Sequence, residues 1–254
     1  MGKVFLNHKS QEKKLVKAIQ QHLESCLIQT WLDEEQLRPG HNLLNEIYSG
    51  VTDNNYFVAF ISERYLDSAW CLRELDTAEV NNNIKIIPVV IGNSKVIMEK
   101  ATPTIKSLLS RNKYIELNEY DLPQTAQAIA QAIWQNHPVR FLPVRIIEIE
   151  GVKLQLIEFD ADKDIPNNLF KTWDFKIDDF LHTSSSSDGK EKPIKGDIPV
   201  AIYGRGPAWL FAFLSIPLAN MYDIFLYNYG DKSFICVHAQ RSSDNLGNVL
   251  KWTK

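Results

Sequence analysis

Along residues 3–134, short apolar runs alternate with segments whose apolar positions recur every three to four residues. Lys3–Leu6 reads as a short buried strand. The segment after it places Leu15, Ala18/Ile19, His22/Leu23 and Cys26 on one helical face. Ile28–Leu32 reads as a second strand, and Asp33–Gly40 as a polar loop closed by Pro39-Gly40. His41–Gly50 has helical spacing through Leu44, Ile47 and Val51. Tyr56–Ile61 (YFVAFI) is apolar throughout, as a strand covered on both faces requires. A helix is predicted from Ser68-Ala69-Trp70 to the run Asn81-Asn82-Asn83, with strands over Ile84–Ile91 and Tyr114–Leu117. A last helix has Asp121 as its cap, Pro123 in its first turn and Gln124 three residues after the cap. Five strands alternating with helices predict a parallel, doubly wound α/β sheet that binds ligands at the strand C-termini.

The alternation breaks at residues 136–143 (NHPVRFLP), where two prolines fall. A first domain is therefore expected over residues 1–136, a linker over 137–143 and a second domain over 144–254. In the latter, Val144–Ile149 and Lys153–Phe159 flank Glu150-Gly151, a hairpin signal. His182–Lys195, with four consecutive serines, reads as a loop. Ile198–Tyr203 is a predicted strand, Gly204-Arg205-Gly206-Pro207 a turn and Ala208–Ala219 a helix. Ile224–Tyr229 and Ser233–Ala239 form a strand pair around Gly230-Asp231, completing a smaller Rossmann-like or ferredoxin-like α/β domain.

Composition narrows the function classes. Apolar residues make up 44% and charged residues 23%, which is globular and argues against disorder. Residues 1–138 carry 14 Lys/Arg against 16 Asp/Glu, and the remainder 14 against 15. Neither half is a basic platform, so no DNA partner is expected and any polyanion must be held locally. Cys26, Cys71 and Cys236 form no C-x-x-C pair, and no secretory leader is expected, which together favour the cytoplasm. The most apolar stretch, Pro207–Met221, is too short to span a bilayer, so no membrane partner is expected. The six histidines show no H-x-H or H-x-x-x-H spacing, so no metal site is expected.

Three segments share the predicted ligand edge: VFLNHKS at 4–10, WLDEEQLRPG at 31–40 and FISERYLDSAWCLREL at 60–75. In kind, order and spacing they resemble the TIR domain over about residues 1–136. WLDE-x-x-L-x-PG is similar to that family's BB loop, and S-x-WC-x-x-E to the start of its third helix. The resemblance implies a flavodoxin-like, five-stranded parallel fold. It also implies, as in the enzymatic members, a glutamate that cleaves the N-glycosidic bond of NAD+, here Glu74. Contacts to NAD+ are then implied for Asn7, His8, Lys9, Trp31, Asp33, Pro39, Gly40 and Trp70. Trp70 and Glu74 stand four apart on one helical face, so an indole can stack on a ring while the carboxylate meets the ribose. A fixed carboxylate stabilises the oxocarbenium-like charge that bond cleavage develops, and cationic nicotinamide leaves without a strong acid. Cys71 and Leu75 are expected to face the sheet. Asp33, Glu34 and Glu35 read as exposed loop charge, and Asn7 stands where the family often has Ser. The resemblance further implies active sites shared between neighbouring copies. Adaptor members of the family act by association alone, so a scaffold without turnover is the alternative.

The segment IPVAIYGRGPAWLFAFL (198–214) is not the dinucleotide fingerprint, because Pro207 follows G-x-G and Trp209 takes the third glycine's place. It reads as an anion site. Gly204 and Gly206 permit close backbone approach, Pro207 suits the first helical turn, Arg205 is a bidentate phosphate donor and Trp209 could cover a base. A tight turn with sterically required glycines and Trp209 in the core reads equally well. GRGP-x-WL resembles a small CRISPR-associated ring-nuclease family related to CARF domains, over about residues 144–240. That resemblance implies binding of cyclic oligoadenylate, typically the tetra-adenylate of type III CRISPR systems. Its members carry a histidine near the helix end and an aspartate after the next strand, where this chain has Ala219 and Asn228. Without that base, ring cleavage should be weak or absent, which favours a sensor. Together the two resemblances describe an antiviral-defence NAD+ glycohydrolase that needs no cofactor. Cyclic tetra-adenylate would activate it through dimers, larger oligomers or filaments, and a ring nuclease is the second alternative.

Overall fold

The computed structural model describes residues 4–32, 51, 54–135, 137–163, 165, 177–180, 193–241 and 243–252. The chain divides into two compact units, Met1–Leu23 with Ile28–Gln135, and Glu24–Leu27 with Asn136–Lys254.

The first unit is built on strands β1 (Val4–Asn7), β2 (Thr30–Leu32), β3 (Tyr56–Ile61), β4 (Lys85–Val90) and β5 (Ile115–Glu116). Their spatial order is β2-β1-β3-β4-β5 with every pair parallel, the flavodoxin-like arrangement. Burial explains the apolar run of β3: from Phe57 to Ile61 no residue reaches solvent. Its helices include α1 (Lys13–Ser25), α2 (Glu63–Leu66), α3 (Ala69–Val80), α4 (Ser94–Lys100), α5 (Pro103–Arg111) and α6 (Leu122–Trp134). Side-chain oxygens of Ser62, Ser68, Asn93, Thr102 and Asp121 cap the last five of these at their N-termini. The buried face of α1 differs from the expected one. Val16, Ile19, Gln20 and Leu23 are buried, whereas Leu15 is only partly covered and His22 is exposed. Gln20 tolerates burial because its amide donates to Thr30 Oγ1 at 3.0 Å.

The second unit is a mixed sheet. Its strands are β6 (Val139–Phe141), β7 (Arg145–Ile149), β8 (Val152–Ala161), β9 (Val200–Arg205), β10 (Ile224–Asn228), β11 (Ser233–His238) and β12 (Val249–Lys251). The order is β12-β11-β10-β9-β8-β6, with β7 also pairing β8. Residues 139–141, inside the segment expected to be a linker, are thus an edge strand antiparallel to β8. The β7–β8 hairpin turns at Glu150 and Gly151, both at positive φ (51° and 81°). β9 runs past the expected strand end through Arg205, because Gly204 and Arg205 still pair with Phe159 and Asp160. One face of the sheet packs Leu154, Leu156, Ala201, Phe225 and Phe234 into a core. On the other, Phe159 meets Phe211 of helix α7 (Ala208–Leu218), ring centroids 5.1 Å apart.

Candidate active site

Asn7 ends β1, and α2 and α3 follow β3, so all three approach the C-terminal edge of the parallel sheet. Two serines set the helices there. Ser62 Oγ accepts from the Tyr65 amide at 3.1 Å and donates to Glu12 Oε1 at 3.0 Å. Ser68 Oγ accepts from the Cys71 amide and from Lys9 Nζ, each at 3.4 Å. The buried positions of α3 are Cys71, Glu74, Leu75 and Ala78, spaced as one helical stripe. Glu74 therefore lies on the inward face among apolar neighbours, and only 2% of it is exposed.

A buried carboxylate needs donors. Asn7, fully buried, gives one: its Nδ2 donates to Glu74 Oε2 at 2.5 Å. The hydroxyl of Tyr65, also fully buried, donates to Asn7 Oδ1 and lies 3.2 Å from the carbonyl oxygen of Cys71. The Cys71 thiol in turn donates to the carbonyl of His8 at 3.3 Å, tying the loop after β1 to α3. Burial raises the Tyr65 phenol well above its ordinary value, and Cys71, Glu74 and Asp76 nearby raise it further.

The structure thus joins Asn7 to Glu74 directly and brings His8 and Lys9 against the same helix. Trp70 is partly buried and packs against the core cluster of Phe57, Cys71 and Leu75. Trp31 sits on edge strand β2, 41% exposed, its ring 4.8 Å from that of Phe5. Cys71 and Leu75 are buried in the sheet-facing core. Asp33, Glu34, Glu35, Pro39 and Gly40, and the helix expected over 41–50, lie outside the described residues. Local spacing does not single out Tyr65, since its partner Asn7 is 58 residues away.

The TIR domain family matches residues 4–133. The chain belongs to the TIR domain family. Over 119 residues it is 27% identical to "Probable 2′ cyclic ADP-D-ribose synthase TcpO" of Methanobrevibacter olleyae, covering 44% of this chain and 35% of that protein. It is 31% identical over 93 residues to "NAD(+) hydrolase TcpA" of Theionarchaea archaeon (strain DG-70-1), covering 35% of this chain and 28% of that relative. This TIR chain therefore spans about a third of the length of those relatives. Among solved structures, the TIR domains of the activated Roq1 resistosome match with a TM-score of 0.42 at 19% identity, over 52% of this chain and 99% of that one.

The GRGP segment of the second unit borders an open depression of about 770 Å³. Gly204, Arg205, Gly206, Phe211, Tyr227 and Tyr229 contribute to its lining. Pro207 and Trp209 are not among the lining residues. Pro207 is the N-cap of α7, and Trp209 is half-buried on that helix. The aromatic residues that line the depression are Phe211, Tyr227 and Tyr229. Tyr229 donates to the Gly204 carbonyl at 2.7 Å, and burial, aided by Tyr203, pushes its hydroxyl up to about 12. Gly204 is sterically required: a Cβ there would lie 2.4 Å from the carbonyl oxygen of Phe159. At Gly206 the nearest atoms are side-chain ends, Phe159 Cε2 at 3.1 Å and Leu210 Cδ2 at 3.2 Å. Ala219 is the C-cap of α7, and Asn228 is engaged by Asp231 and the Gly230 amide. Among the described residues, no three His, Cys, Asp or Glu side chains could hold a metal ion. No helix among them is long and apolar enough to cross a membrane.

Proposed function

We propose that this chain cleaves the N-glycosidic bond between nicotinamide and ribose in NAD+, with Glu74 as its catalytic residue. The observation that carries the reading is a carboxylate buried at the ligand edge of the sheet and held there by the Asn7 amide. A carboxylate fixed in a poorly hydrated site is far more effective against developing sugar cation than one in water. Trp70, one turn earlier on α3, would meet a planar ring of the substrate. The names of the relatives support the substrate and point to two fates for the sugar. Attack by water gives ADP-ribose, and attack by a ribose hydroxyl gives a cyclic product.

The second unit would act as the sensor that switches this activity on, binding cyclic oligoadenylate, with the tetra-adenylate of type III CRISPR systems the first choice. Arg205 for a phosphate, tyrosines for bases and an open depression of nucleotide size support that reading. Ligand binding would then draw copies together into dimers and larger assemblies.

The test is nicotinamide release from NAD+ with and without cyclic tetra-adenylate, using the chain and its Glu74→Gln variant. Release that depends on the ring and on Glu74 supports both halves. Release without ring dependence keeps the enzyme and removes the sensor. Assembly on the ring with no release makes the chain a scaffold, and linear adenylate products make it a ring nuclease.

A further inference from the structure

We infer that Asn7 and Tyr65 form a positioning relay that follows the proton on Glu74, letting one carboxylate serve first as an anion and then as a proton acceptor. The inference rests on the proposed NAD+ cleavage and specifies how that same site turns over.

The argument begins with the number of protons. A phenol has one hydrogen to donate, yet the Tyr65 hydroxyl has two acceptors in reach, Asn7 Oδ1 and the Cys71 carbonyl. A side-chain amide is a donor on one side and an acceptor on the other, and a half-turn exchanges them. With Glu74 ionised, Asn7 Nδ2 donates to Oε2 and Asn7 Oδ1 takes the Tyr65 proton, the arrangement observed. With Glu74 protonated, the amide turns over. Oδ1 then accepts from the carboxylic acid, Nδ2 donates to the Tyr65 oxygen, and the Tyr65 proton moves to the Cys71 carbonyl. In both arrangements a donor faces an acceptor at the Glu74–Asn7 and Asn7–Tyr65 contacts, so neither protonation state sets two donors or two acceptors against each other there.

Tyr65 is itself unsuited to be the base, since burial and its neighbours hold it protonated. The other ionisable groups on the surrounding elements are His8 and Lys9 after β1, and Glu12 ahead of α1. On α2 they are Glu63 and Arg64, both exposed. On α3 they are Cys71, with Arg73 and Asp76 exposed and Glu79 paired with Arg111.

Such a relay suits both halves of the reaction. In the first, the C1′–N bond breaks, its electron pair stays on the nicotinamide nitrogen, and the ribose cation is faced by ionised Glu74. In the second, a water oxygen bonds to C1′ and its proton passes to Glu74, whereupon the amide turns. That proton returns to solvent as ADP-ribose departs. In the cyclising variant a ribose hydroxyl replaces water and gives up its proton the same way.

The experiment measures kcat and KM for nicotinamide release between about pH 5 and 9 for the unaltered chain, Tyr65→Phe, Asn7→Leu and Glu74→Gln. Tyr65→Phe should lower kcat about ten- to a hundredfold while KM stays within about threefold, because the loss falls on the chemical step. Its acid limb should move to higher pH, since an amide no longer anchored at Oδ1 stabilises the Glu74 anion less. Asn7→Leu should do both more strongly. A merely structural role would lower the unfolding midpoint and leave the pH profile in place, and that result overturns the relay. Site-specific 3-fluorotyrosine at position 65 preserves shape while acidifying the phenol; an unchanged profile there overturns it as well, whether or not Tyr65→Phe folds. Activity lost in Glu74→Gln with Tyr65→Phe unaffected removes only the relay. An active Glu74→Gln, or an unaltered chain that releases no nicotinamide, removes the NAD+ reading and the relay with it.

Discussion

Burying Glu74 as an anion costs several kcal/mol of hydration, and the charge-assisted hydrogen bond from Asn7 returns about 1.5–3 kcal/mol of it. A glutamine has the same shape without that cost. Glu74→Gln should therefore lower nicotinamide release at least about a hundredfold while its thermal midpoint stays level or rises. Activity lost together with a collapsed melt would instead mean that the carboxylate is structural. The glycines of the second unit sort by the same local reasoning. Gly204→Ala drives a methyl group into the Phe159 carbonyl, a backbone atom that cannot yield without moving β8 from β9. Gly206→Ala presses only on side-chain ends. Denaturant unfolding should show Gly204→Ala costing about 1–3 kcal/mol or more, and Gly206→Ala clearly less. Equal costs would mean that the two strands accommodate the methyl group.

At the scale of elements, Asp223 shows how a loop is held to a strand. It precedes β10 and accepts the Gln240 and Arg241 amides at 2.7 and 3.0 Å and the Asn245 side chain at 3.0 Å. Arg241 meanwhile donates to the carbonyls of Asp197 and Gly196. Burial alone would raise the Asp223 carboxyl, but these donors and the Arg241 charge outweigh it and hold it below its ordinary 3.8. A lowered folded value means stability that is present above pH about 4 and is lost as pH falls through that lowered value. Thermal melts over that acid range should show the second unit weakening, and Asp223→Asn should flatten the dependence. An Asn variant with the unaltered slope would assign the acid sensitivity to another group. Such contacts also mark where sequence reading stops. Strand β3, the hairpin at Glu150-Gly151 and the helix caps Ser68 and Asp121 are written locally, in composition and spacing within ten residues. Helices α4 and α5 carry start signals in Asn93 and Thr102-Pro103, but each is too short for its apolar period to show. β6 and β12 have only three residues each, too few for an alternating pattern to show. The S-x-WC-x-x-E frame singles out Glu74 in the sequence. The anchoring of Asn7 is not legible there, since its partners lie 58 and 67 residues away and only the fold brings them together.

For the whole molecule, magnitudes decide how many copies a nucleotide switch needs. Moving an equilibrium from about 1:99 to about 99:1 requires the ligand to favour the active state by about 10⁴-fold, or about 5.5 kcal/mol. One Arg205–phosphate contact supplies about 1.5–3 kcal/mol, too little by itself. Two chains that each offer Arg205 and the Tyr227–Tyr229 wall to one multi-phosphate ring approach the required figure. With a net charge of only −3 per chain, repulsion does little to oppose their meeting. The proposed sensor should therefore bind one cyclic tetra-adenylate per two chains. Nicotinamide release per chain should fall on dilution even with the ring in excess, because the proposed active species is an assembly. Calorimetry should give the one-to-two ratio, and Arg205→Ala should weaken ring binding at least about tenfold. A one-to-one ratio with release per chain constant across dilution would place the whole switch within a single copy, and assembly would then have no part in activation.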